Sequence, residues 1–128
     1  MGDNARVRFL SSEWLERMEA ATSGAEPTGA TVSVHQRVTG GPDGDVEYTL
    51  RLAGDRVTFE PGPGAGDVEV VSDYETAAAI SQGHLSPARA FAAGQLRVRG
   101  SVTALVLAQD AFARLGPRVA GVAGATTY

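Results

Sequence analysis

The side chains able to do chemistry are few, and their spacing suits turns and caps better than catalysis. Two histidines occur in the chain. Neither has a second histidine or a carboxylate one helical turn away, the spacing with which a helix face grips zinc. His35 alternates with Val34 in an extended run, which predicts a solvated ring on the wet face of a strand, and His84 follows Gly83 in a turn. Asp43 and Asp45 flank Gly44, a pair suited to a hairpin, whereas a calcium loop needs several further oxygen ligands in order. Gly62, Gly64 and Gly66 lack the Lys-Ser/Thr that completes a phosphate loop, and their spacing is not that of a dinucleotide fingerprint. Ser81, Ser86 and Ser101 stand where elements start or stop, outside any nucleophile elbow. Without cysteine there is no thiolate nucleophile, thiolate metal site or disulfide. No catalytic residue, metal or cofactor is expected. What remains for an enzyme is shape plus one acid or base on a bound molecule, with Asp73, Tyr74 or Gln109 as the available groups.

The elements that would position such groups follow from periodicity. Leu10, Trp14, Leu15 and Met18 make one helical stripe between Phe9 and Ala21, with Ser11 or Ser12 as the cap. The breaker run from Ser23 to Gly29 ends that helix. Thr31 to Val38, Val46 to Leu52, Arg56 to Glu60 and Asp67 to Val71 alternate with period two, separated by turn formers including a tight Ala53-Gly54-Asp55. Val32, Val34, Val38, Tyr48, Leu50, Leu52, Val57, Phe59, Val68 and Val70 share one face of these strands, and the charged residues take the other. This predicts a sheet with one dry side that helices must cover. Ser72 with Glu75 fits a capping box for a helix ending at Gly83. Ser86-Pro87 opens a second short helix that stops at Gly94. Gln95 to Arg99 reads as a last strand, and Ser101 opens a helix whose stripe includes Val102, Leu105, Val106, Phe112 and Leu115.

At 128 residues, with 43% hydrophobic and 20% charged residues, the chain suits a single globular domain. Its core is expected over about residues 9–115, followed by a flexible apolar tail over 116–128. The net charge is −4 and the pI about 5.1, so no basic face is available to neutralise nucleic acid. All 11 basic residues are arginine, which points to GC-rich codon usage and a bacterial source. No stretch approaches the roughly 18–20 apolar residues of a membrane span. Met1 to Arg8 lacks the apolar run of a signal peptide, and a cytoplasmic protein is the expectation.

Between Asp67 and Leu107 the landmarks fall in a specific order. They are Gly66-Asp67-Val68-Glu69-Val70, a capped helix from Asp73, Gly83-His84-Leu85-Ser86-Pro87-Ala88-Arg89-Ala90-Phe91, and Gly94-Gln95-Leu96-Arg97-Val98-Arg99-Gly100. In order and spacing this stretch resembles the conserved half of the sterol carrier protein 2 family. The resemblance implies an α+β fold: a mixed sheet of about five strands, helices over one face, and a hydrophobic tunnel between the layers. It also implies a hydrophobic ligand, such as a lipid, a fatty acyl chain or an isoprenoid- or polyketide-like molecule. Two features depart from the family pattern, the glycine- and proline-rich loop Pro61–Gly66 and the small apolar residues after Gly116.

Placed on that framework, the ligand-binding candidates are Val34, Leu50, Phe59, Ile80, Phe91, Leu105 and Phe112. Gln109 joins them because it shares a stripe with Leu105 and Phe112, where it could hydrogen-bond a head group. Ala77, Ala78, Ala79, Ala90, Ala92 and Ala93 would help to leave a void. The reading favoured is a carrier of a hydrophobic small molecule that makes transient contact with a membrane or a biosynthetic enzyme. The alternative is a cofactor-free cyclase or isomerase, or an accessory protein, acting on a bound apolar intermediate. A domain with a filled core and no ligand is the third.

Overall fold

The computed structural model describes residues 6–23, 31–53 and 56–128. The expected turn at Gly54-Asp55 and the breaker run beyond Ser23 lie outside the described residues.

Alternation builds the central sheet. Strand β1 (Val7–Arg8) and helix α1 (Ser12–Thr22) precede a hairpin of β2 (Thr31–Gly41) and β3 (Gly44–Ala53), and β4 (Arg56–Pro61) pairs antiparallel with β3. The chain then crosses over, so that β5 (Val68–Asp73) runs parallel to β2, and β6 (Leu96–Gly100) closes the far edge antiparallel to β5. The order is β4-β3-β2-β5-β6, the five-strand mixed sheet that the resemblance implied. Register sets the dry face as expected. Val34 lies opposite both Leu50 and Val68, Leu52 lies opposite both Val32 and Val57, and all six are buried.

Capping chemistry sets the helix starts. Ser11 accepts from Trp14 N–H at the head of α1. Ser86 accepts from Arg89 N–H at the head of α3 (Pro87–Ala92), and Ser101 accepts from Ala104 N–H at the head of α4 (Val102–Gly124). At α2 (Tyr74–Ser81) the cap is Asp73, one residue later than the capping box predicts. β5 pairs with β2 as far as Thr39 opposite Asp73, so Ser72 is still in a strand. Asp73 Oδ1 then takes the Thr76 N–H at 2.7 Å.

Two corrections concern α4. The helix does not stop at Leu115, and the residues after Gly116 are not a loose tail. It continues through Pro117 to Gly124, and β7 (Thr126–Thr127) pairs parallel with β1. Proline removes one N–H and crowds the preceding turn, and tertiary anchors offset that cost. Val122 and Tyr128 pack against Phe9, Leu10 and Trp14 in one core cluster. Arg6 donates to the carbonyls of Gly124 and Thr126 and to Thr127 Oγ1. The buried stripe of α4 also differs from the expected one. Ala104, Ala108, Ala111 and Leu115 face the sheet, while Val102 and Val106 are 75% and 59% exposed. Alanine lets the helix axis approach the strands closely, and the larger residues are displaced to its flanks.

Candidate functional site

The apolar space between helices and sheet is divided into two clusters. One joins Val32, Val34, Leu50, Leu52, Val57 and Val68 to the alanine seam of α4, with Phe59, Val70, Val98, Leu105, Leu107 and Phe112 only partly buried around it. The other gathers Val7, Phe9, Leu10, Trp14, Leu15, Val38, Tyr48 and Ala78 under α1 and α2. Phe59 packs against both. Five of the eight candidates therefore come together: Val34, Leu50, Phe59, Leu105 and Phe112. In register, Val34, Leu50 and Phe59 form one cross-strand row.

The other three are not part of that group. Ile80 is half-buried on α2. Phe91 is 55% exposed on α3, and Gln109 is exposed on α4. For Gln109 the reason is angular. At about 100° per residue, the Ala104-Ala108-Ala111-Leu115 seam turns position 109 up the side of the helix, away from the sheet. Ala104, Ala108 and Ala111 recur at i, i+4 and i+7, but nothing local marks these alanines, rather than the larger apolar residues beside them, as the buried face.

Among the described residues, two concavities stand out at the border of the fold. One of about 130 Å3 lies between α1 and β4, lined by Ser12, Leu15, Glu16, Glu19, Phe59 and Pro61. The other, about 510 Å3 and open to solvent, lies near the C-terminal ends of α2 and α4, beside Arg6, Gln82, His84, Ala123 and Tyr128. Neither is the interlayer tunnel that the resemblance implied, and only the first contains a candidate, Phe59. There the edge strand is held by α1, because Glu19 Oε1 accepts the Phe59 N–H at 2.9 Å.

Two rings in from Phe59 lies a group that sequence reasoning did not single out. Trp14 is 3% exposed, and its Nε1–H has no hydrogen-bond partner among the described residues. Its ring meets Tyr48 edge-on at 5.8 Å, and Tyr48 in turn stacks on Phe59 at 6.3 Å. Burial pushes the Tyr48 hydroxyl well above its ordinary pKa, so it stays neutral. Nothing in the sequence marks an indole N–H as unpaired.

His35 is a further correction. It lies on the outer face of the sheet, as alternation predicts, but it is 2% exposed rather than solvated. Its Nε2 is 2.8 Å from Glu47 Oε1 and its Nδ1 2.9 Å from Thr49 Oγ1. The loop after β4 covers it. A Cβ on Gly66 would lie 2.9 Å from the His35 backbone nitrogen, and one on Gly64 would lie 3.3 Å from Thr49 Oγ1. Thr49, His35 and Glu47 stand in the order of a nucleophile, a base and its orienter. Because Thr49 is buried under glycines, the trio ties β2 to β3 beneath the loop and exposes no nucleophile. Among the described residues no cluster of His, Cys, Asp or Glu could hold a metal ion, and no helix is long and apolar enough to cross a membrane.

Comparison with known proteins places this geometry. No curated protein matches the chain. Among solved structures, a conserved hypothetical protein from Thermus thermophilus superposes with a TM-score of 0.64 at 20% identity, covering 92% of each chain. A sterol carrier protein 2 gives 0.63 at 15% identity, covering 92% of this chain and 96% of that one. Palmitated SCP2L2 from Aedes aegypti gives 0.60 at 20% identity, over 78% and 94% of the two chains. At such identities these likenesses show the fold. The model of the SCP-2 sterol transfer family matches residues 13–112. That match takes in 100 of the 128 residues, from the first turn of α1 into α4, and the chain belongs to the SCP-2 sterol transfer family.

Proposed function

We propose that this protein binds and carries a hydrophobic small molecule between its sheet and α4, with Val34, Leu50, Phe59, Leu105 and Phe112 against the ligand. The observation that carries this reading is the ring of half-buried apolar side chains around the alanine seam. Large residues in a finished core are fully enclosed. Here Phe59, Val70 and Val98 on the sheet, and Leu105 and Phe112 on the helix, each keep one side open. They can part for a guest while Ala104, Ala108 and Ala111 stay seated.

A ligand with an acyl chain suits this surface, and the palmitated Aedes aegypti relative supports that class. Each buried methylene contributes about 0.8 kcal/mol, so a chain of about fifteen contributes about 12 kcal/mol gross. Ordering the complex costs several kcal/mol, which leaves an affinity in the micromolar range. Loading and unloading would take place in transient contact with a membrane or a biosynthetic enzyme, since such ligands are scarce in water.

A fluorescent fatty acid titrated into the folded protein tests the reading. Saturable enhancement is expected, and Leu105→Trp, which fills the flank of the seam, should weaken binding roughly tenfold, about 1.4 kcal/mol. Absence of a signal across several probe chemotypes, with the protein folded by circular dichroism, would sink it.

A further inference from the structure

We infer that the indole N–H of Trp14 and the hydroxyl of Tyr48 form a head-group site, one that takes a neutral apolar ligand bearing an acceptor oxygen such as a ketone or ester carbonyl. This rests on the carrier reading and adds to it the polar end of the ligand.

A buried N–H without a partner costs roughly 1–3 kcal/mol. Trp14 carries such a donor in the first turn of α1, within the aromatic cluster. The Tyr48 hydroxyl, whose ring meets the indole edge-on, makes no hydrogen bond among the described residues. Two neutral donors thus belong to adjoining rings of one aromatic cluster, and a carbonyl oxygen, which can accept twice, is the partner this proposal assigns to them.

Access runs through the concavity between α1 and β4. Phe59 lines it and stacks on Tyr48, whose ring in turn meets the Trp14 indole, so Tyr48 stands one ring and Trp14 two rings behind the opening. Phe59 is only half-buried, and in this proposal a change of its rotamer opens the concavity toward Tyr48 and the indole behind it. The concavity of about 130 Å3 equals the volume of about four waters at ~30 Å3 each, enough for a head group. The tail then lies past Phe59 toward Leu105 and Phe112, which pack against the same cluster as Phe59.

Charge selects the class. The lining holds Glu16 and Glu19 and no basic residue. A free carboxylate would meet two like charges at the mouth and no cation inside, so a fatty acid must leave its head group in water and forgo this site. A ketone or ester incurs neither penalty.

The chain has one tryptophan, so a single indole N–H resonance reports the site in the 15N-labelled full chain. Titration with 2-heptadecanone, palmitate and hexadecane, each also tested for displacement of a fluorescent fatty acid, is the experiment. The ketone should displace the probe at lower concentration than palmitate and move the indole resonance downfield, while hexadecane displaces without that shift. Trp14→Phe should weaken the ketone roughly tenfold and leave hexadecane unchanged, with Tyr48→Phe acting in the same direction. Displacement by the ketone with an unmoved indole resonance, or tighter binding of palmitate, overturns the head-group assignment and leaves the carrier reading standing. Failure of every probe to bind overturns both.

Discussion

Asp73 joins strand to helix with a single carboxylate. The Thr76 backbone N–H, and secondarily the Thr76 hydroxyl, hold its carboxyl below the usual carboxylate value. A proton therefore binds the folded state less readily than the unfolded chain. The stability this contributes is present above the ordinary carboxylate value and is lost as pH falls through the lowered folded one. Asp73→Ala should cost about 1 kcal/mol near neutral pH, and the cost should fade in acid. Asp73→Asn keeps the cap and should flatten this dependence. Urea unfolding from about pH 2 to about pH 6 measures both. His35 marks how far single residues could be read. Alternation put it on the correct face, but composition marked the loop over it only as rich in glycine and proline. Gly64 and Gly66 are there so that the backbone can lie against the ring and its strand, a reason that exists only once the loop has folded back.

Among the elements, the join between β6 and α4 has the strictest demand. Gly100 takes φ 116° and pairs with Val68, and any side chain on it would run into the Asp67 carbonyl. That same carbonyl accepts the Ser101 N–H at 3.1 Å as α4 begins. Gly100→Ala should cost roughly 1–3 kcal/mol from backbone strain alone and more from the clash. Thermal unfolding checks this, with Gly62→Ala, also at positive φ but in open space, as the milder control. The glycine landmark in the sequence is thus a steric requirement of the turn that aims α4 across the sheet. Strands and caps were legible for the same kind of local reason, since Ser11, Ser86 and Ser101 act on N–H groups three residues away. The facing of α4 was not. Val102 and Val106 look like core in a one-dimensional pattern, and only the close approach of the helix selects the alanines.

For the whole molecule, the C-terminal segment acts as a clamp. Val7 N–H bonds to Ala125 C=O and Phe9 N–H to Thr127 C=O, and the rings of Phe9 and Tyr128 lie 4.9 Å apart. Tyr128 also reaches α2, where its hydroxyl meets Ser81 Oγ at 2.7 Å. Removing residues 117–128 should uncover Phe9, Leu10 and Trp14 and lower Tm by roughly 5–10 °C, as read by calorimetry and by loss of near-ultraviolet aromatic signal. The sequence by itself determined the strands and their dry face, most helix starts, and the family to which the chain belongs. Those depend on period, capping and turn chemistry, which act over a few residues. Tertiary structure alone decided the burial of His35, the passage of α4 through Pro117, the alanine seam, and the unpaired indole of Trp14 beside Tyr48 and Phe59. Each depends on what another part of the chain brings near, and local spacing carries no record of that.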